Sequence, residues 1–336
     1  MKTRNLDHRP ARAAFTLLEL VVVLAILALV TTLAFQSLDQ VEDQRRYEAS
    51  RQMLTDLEKA VLGDGDIAGF VSDMGRLPEA VLVSNPKTSL SELALAELWT
   101  RTLPTETLPV HAVIRNTAID PEVVVPAGWR GPYLSLPMDA WNILDGWGNP
   151  MRSLPTPVAP GATDDYRLRD SADSPITSEG APVCLVRHLG ADGAPGSAGG
   201  PFDQDFAVTF ESASLNQWTA SVSASVQLVE RQERPAPVNG TVIVRAFYPD
   251  PADPSLLSVE SQSTSVTIPL GSDPWSIVVN STLAGLPGKP LSIGQRAVRA
   301  YLYEGDPATT APTARSTIKH VTLRPGVNFI PLTIYR

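Results

Sequence analysis

One carboxylate, Glu19, interrupts an apolar run that is otherwise unbroken from Leu17 to Val30. A charge in that setting costs about 2.5 to 3.5 kcal/mol near a bilayer centre and less toward its edge, so it calls for a cationic partner. Far downstream, Asp192, Asp203 and Asp205 share a segment with five glycines, from Gly190 to Gly200, and with no His or Cys. Hard oxygen ligands on a sharply turning backbone suit Ca2+, which takes six to eight oxygens at about 2.3 to 2.6 Å. The segment lacks the alternating acidic positions and closing Glu of an EF-hand, and a turn-rich loop without an ion is the plain alternative. The other reactive residue types form no constellation. His8, His111, His188 and His320 have no zinc spacing, and Cys184 is the sole cysteine. No Gly-x-Ser-x-Gly elbow, phosphate loop or dinucleotide fingerprint occurs, so no enzymatic activity is expected.

Glu19 must be held by a helix. Lys2, Arg4, Arg9 and Arg12 precede the apolar run, and Phe15 to Phe35 is 21 residues, about 31 Å of helix and enough for one membrane span. Basic residues before the span keep the N-terminus cytoplasmic and send the remainder across. Beyond the span, Leu38, Val41, Ala49, Leu54, Leu57 and Val61 recur near helical spacing, which predicts an unbroken helix to Gly63. The whole chain has 336 residues, 30 of them Pro, and a formal charge of -9. That length suits about two domains, and the acidic balance excludes general nucleic-acid binding.

The Asp segment must be held by something less regular. Between Gly63 and residue 206, Gly- and Pro-rich turns dominate, with a short helix expected after Ser89-Leu90-Ser91-Glu92, whose spacing is that of a capping box. Gly128-Trp129-Arg130-Gly131-Pro132-Tyr133-Leu134 and Asp145-Gly146-Trp147-Gly148-Asn149-Pro150 read as turns whose rings cover a small core. From residue 207 onward, Trp218, Ala220, Val222, Ala224, Val226 and Leu228 alternate with polar or small residues. Further alternating runs follow at 242–246, 266–268, 277–279, 298–303, 318–323 and 327–335, separated by Asn-Gly and Pro-rich turns. Eight or so short strands without helical period predict an antiparallel, immunoglobulin-like β-sandwich over residues 207–336. The expected fold class is α+β: a long N-terminal transmembrane helix (15–62), an α/β globular part (63–206) and that sandwich.

Ala13-Ala14-Phe15-Thr16-Leu17-Leu18-Glu19-Leu20 resembles the type III signal of type IV pilins and type II secretion pseudopilins. The resemblance implies that residues 1–14 are a prepilin leader, that a prepilin peptidase cuts between Ala14 and Phe15, and that the new amine of Phe15 is methylated. It also implies that Glu19 pairs with a neighbouring subunit's N-terminus during assembly. Where the family usually has Gly before the cut, this chain has Ala14. Loss of the leader removes four basic residues and one acidic residue, leaving 23 and 35 and a formal charge of -12. Gly-Pro-Tyr-Leu at 131–134, Trp-Gly-Asn-Pro at 147–150 and Leu-Gly-Ala-Asp-Gly at 189–193 resemble the major, G-type pseudopilin, with the likeness running in pieces over 13–206. In that family the matching loop binds calcium, which implies Asp192 and the Leu189 carbonyl as ligands, with Asp203 and Asp205 beside them.

These readings lead to a pseudopilin subunit of a type II-like secretion system, a single-pass protein of the bacterial inner membrane with its C-terminal parts periplasmic. Its expected partners are the prepilin peptidase, other pseudopilins or pilins, an inner-membrane assembly platform and secreted cargo. The sandwich is expected to be a projecting head, dispensable for the folding of residues 36–206. A minor type IV pilin with an adhesive head is the alternative, and an anchored periplasmic hydrolase is a third reading.

Overall fold

The computed structural model describes residues 17–65, 67–137, 140–155, 167–196, 199–230, 238–268, 275–286 and 289–336, without the side chains of 33–39, 230, 238, 275 and 286. The first element, α1 (Leu17–Leu62), is a continuous helix of 46 residues, about 69 Å long. No Gly or Pro lies within it, so nothing removes a rung from its hydrogen-bond ladder until Gly63. Pairs one turn apart support its exposed side: Arg46 with Glu42 at 2.5 Å, Gln44 with Glu48 at 2.8 Å and Gln52 with Asp56 at 2.8 Å. Its two halves differ in what they touch. Leu17 to Val30 present apolar side chains to the outside, whereas Leu54, Leu57, Ala60 and Val61 are buried at helical spacing.

Among the described residues, no helical segment is long and apolar enough to cross a membrane. The expected span of 15–35 includes Phe15 and Thr16, which lie outside the described residues, as does the whole leader.

After α1 the chain turns through β1 (Gly63–Asp64) and β2 (Ile67–Ala68) into α2 (Phe70–Met74), all of whose residues are buried. Next come the hairpin of β3 (Val81–Ser84) with β4 (Ser91–Ala94), and that of β5 (Ala112–Asn116) with β6 (Asp120–Ala127). The helix expected after Ser89 is instead strand β4, followed by one 3-10 turn at Ala96–Leu98. Glu92 does not reach back to cap. Fully buried, it receives Asn85 Nδ2 at 2.9 Å and pairs with Arg152. Long-range satisfaction of a buried carboxylate outweighs a local cap. Strands β7 (Leu168–Arg169), β8 (Leu185–His188) and β9 (Phe206–Thr209) complete a three-stranded antiparallel sheet. Strand β9 therefore crosses the expected 206/207 division.

The remaining strands are β10 (Ala220–Glu230), β11 (Val238–Pro249), β12 (Leu257–Ile268), β13 (Trp275–Leu283), β14 (Gly285–Leu286), β15 (Lys289–Pro290), β16 (Gly294–Tyr303), β17 (Ala314–Arg315), β18 (Lys319–Leu323) and β19 (Gly326–Tyr335). Eight of them form two facing sheets, β13-β10-β19 and β12-β11-β16-β17, with β18 also on β16, while β14 and β15 pair with each other as a separate hairpin. Alternation puts Val222, Ala224, Val226 and Leu228 inward, opposite Val242, Val244, Val298 and Ala300. Pairing is antiparallel except between β10 and β19, which is parallel in register Ser221↔Val327 to Val229↔Tyr335. The last strand enters the sheet from the same end as β10, so the pair that closes it runs in one direction.

The two halves of the chain after α1 are packed together. One hydrophobic cluster runs from Leu54, Phe70 and Met74 through Leu93 and Val186 to Val222, Val298 and Ile334. A second joins Val123 and Val125 of β6 to Ile243, Phe247, Ala297 and Tyr301, on the outer face of the larger sandwich sheet. Polar links follow the same seam. Arg296, fully buried, donates to Ser72 O of α2 at 3.0 Å and to Ser292 O at 3.0 Å; burial pulls its guanidinium down to about 9, against the pull of Asp73. Arg299 and the Tyr301 hydroxyl reach Asp120 of β6 at 2.8 and 2.6 Å.

Candidate functional site

Glu19 lies in the first turn of α1, among the exposed apolar side chains Leu17, Leu18, Leu20 and Val21. The expected cleavage pair, Ala14 and Phe15, lies outside the described residues.

Further along α1 the helix receives the loops that carry the other expected site. The Asp145–Pro150 turn is pressed onto it: the Gly146 amide donates to Ser50 Oγ at 2.9 Å, and Ser50 Oγ in turn donates to Arg46 O at 2.9 Å. A Cβ on Gly146 would stand 1.9 Å from Arg46 O, so only glycine allows this approach. Tyr47 faces the rings of Trp147, Phe202 and Phe206 at centroid distances of 6.4, 5.9 and 5.1 Å. One ring of the helix thus contacts both the Asp145 turn and the Asp/Gly loop.

Beneath these rings Asp145 organises a buried polar centre. Its Oδ1 accepts the amides of Trp147 at 2.9 Å and Asn149 at 2.8 Å, while Oδ2 accepts Arg167 Nη1 at 2.8 Å. His188 Nε2 stands 3.3 Å from the same oxygen, out of line for a hydrogen bond. Burial by itself would push the Asp145 carboxyl up. The contacts from His188, Arg167 and the Asn149 amide outweigh it and hold the group well below the usual carboxylate range. His188 Nδ1 accepts the Gly190 amide at 3.0 Å, which leaves the ring proton on Nε2, toward Asp145. The imidazole stacks on Phe206 at 4.4 Å. The Asp145 turn announces itself in the sequence, but nothing local marks Arg167 or His188 as its partners.

The Asp/Gly loop starts where His188 ends β8. Leu189 is fully buried. Asp192 Oδ1 accepts the Ala194 amide at 3.1 Å, Asp203 Oδ2 accepts the Gly200 amide, and Asp205 Oδ2 accepts the Gly196 amide at 2.8 Å. Each of the three aspartates thus caps backbone of its own loop, and among the described residues no three His, Cys, Asp or Glu side chains converge as a metal centre. One atom is suited to a cation: Asp205 Oδ1 is buried and has no hydrogen-bond partner among the described residues.

Residues 9–35 match the prokaryotic N-terminal methylation motif. The segment is a pilin-type signal. It implies a membrane-anchored precursor of the type IV pilin or pseudopilin kind, processed by a prepilin peptidase and assembled with other pilins. The match takes in Ala14, Phe15 and Glu19 and ends within α1. No curated protein and no solved structure matches the chain.

Proposed function

We propose that this chain is a pseudopilin subunit of a type II-like secretion system, which enters a periplasmic filament through its N-terminal helix and uses its sandwich to recognise cargo or a partner. The methylation motif at residues 9–35, whose described part lies in the 46-residue α1, carries this reading. The apolar side chains exposed from Leu17 to Val30 support single-pass insertion in the inner membrane followed by helix-to-helix packing in the filament. The assembly platform of that membrane is then a necessary partner. Calcium belongs to the same proposal, with Asp192, Asp203, Asp205 and the Leu189 carbonyl as ligands; the unpartnered Asp205 Oδ1 is the observation in its favour.

The test is Glu19→Ala expressed beside wild type. Insertion and leader removal should proceed as usual, whereas crosslinking should show the variant excluded from filaments. Incorporation at wild-type levels would sink the proposal.

A further inference from the structure

The two outer faces of the sandwich differ in chemistry. The larger sheet is covered by β6 and carries Arg245 and Arg299. The smaller sheet, β13-β10-β19, leaves its outer face to solvent. Its outward positions run alternately from Ser221 to Val229, from Ser276 to Thr282 and from Val327 to Tyr335. None of them is Asp, Glu, Lys, Arg or His, in a chain that is 19% charged. The registers set Ser223 between Thr282 and Phe329, and Gln227 between Val278 and Thr333, so hydroxyl and amide groups fill the middle of the face. Along one margin stand two rings, Phe329 at 80% exposure and Tyr335 at 57%.

We propose that this face binds an uncharged polysaccharide chain. The inference deepens the recognition role proposed above and rests on it. Ser, Thr, Asn and Gln side chains each offer donor and acceptor capacity, which matches sugar hydroxyls that also do both. Exposed ring faces cover the apolar C–H faces of sugars. Phe329 and Tyr335 are six residues apart on one strand, about 20 Å, and the surface is open rather than a pocket. It therefore suits several units of an extended polymer, not one free sugar. An acidic glycan or nucleic acid is disfavoured because no Lys or Arg faces it. The two rings would suit a protein partner as well, but they stand at the margin; the centre of the face is Ser223, Ser225 and Gln227, where a protein interface is depleted in Ser and carries its aromatic or Arg anchors.

The full-length chain, in a non-glycosidic detergent, should be retarded in native gels containing hydroxyethyl cellulose, laminarin or dextran, and no more strongly by dextran sulfate. Phe329→Ala and Ser225→Lys should each weaken that retardation about tenfold while the melting temperature holds. Val113→Ala, on a remote exposed strand, should leave it unchanged. Retardation by no neutral polymer, retardation by dextran sulfate alone, or wild-type behaviour of both face variants overturns the proposal. If no neutral polymer binds yet Phe329→Ala still blocks export, the ligand class is wrong and the recognition role stands. If export is also unaffected, both fall.

Discussion

Asp145 ties three stretches of chain that are far apart in sequence: its own turn, Arg167 and His188. Because its folded pKa lies below the ordinary value of about 3.9, the stabilisation is fully present above pH 4 and is lost as pH falls from there through the folded value. Asp145→Asn keeps the shape but leaves Arg167 buried opposite a neutral group, a loss of about 3 kcal/mol. Thermal melts should therefore separate wild type from Asp145→Asn at pH 7 and bring them together as pH falls below 4. A gap that stays constant with pH would show that the charge contributes nothing. The Asp192 loop gives a second test at this scale. Ions that bind only the folded state raise its stability by mass action, so millimolar Ca2+ should raise the melting temperature over that in chelator, and Asp192→Ala should remove the rise. Equal melting temperatures for wild type in the two buffers would leave the loop ion-free.

The element that gathers these groups is α1, and the point of contact is Gly146. Its missing Cβ lets the Asp145 turn rest on Arg46 O, a backbone atom that cannot swing away. Gly146→Ala should lift the turn, cost about 1 to 3 kcal/mol and expose the 145–150 segment to protease. An unchanged melt and digestion pattern would show that the turn does not depend on the helix. The helix itself was legible from its sequence, because 46 residues without Gly or Pro and with apolar residues at turn spacing admit little else. The sandwich strands were legible from their alternation. Two things were not. Ser89–Glu92 has the spacing of a cap, but the fate of Glu92 is set by Arg152, 60 residues on. The Asp145 centre likewise depends on partners that no local period encodes, so the turn could be read and its purpose could not.

At the scale of the molecule, the expected independence of a C-terminal head meets a seam that looks like a domain interior. Phe70 and Met74 of α2, fully buried, share a cluster with the inward residues of the sandwich, and Val123 and Val125 are buried against the outside of its larger sheet. Gly294, at φ +109, is pressed so close to Ser72 that a Cβ would stand 2.1 Å from its hydroxyl. Ending the chain after Asp205 would remove β9 from beside β8, bare both clusters and strip Asp120 of Arg299 and Tyr301. Fully exposing one large apolar side chain costs about 1.5 to 3 kcal/mol, so uncovering even four of them approaches the whole stability of a typical domain. The truncated chain should therefore fail to melt cooperatively and should be degraded, and filaments should lose the subunit even with Glu19 intact. Gly294→Ala, which disturbs the seam without deleting anything, should lower the melting temperature in one transition. Two separate transitions, or a truncated chain that melts like a folded domain, would show that the sandwich folds apart from the rest and can move as a free head.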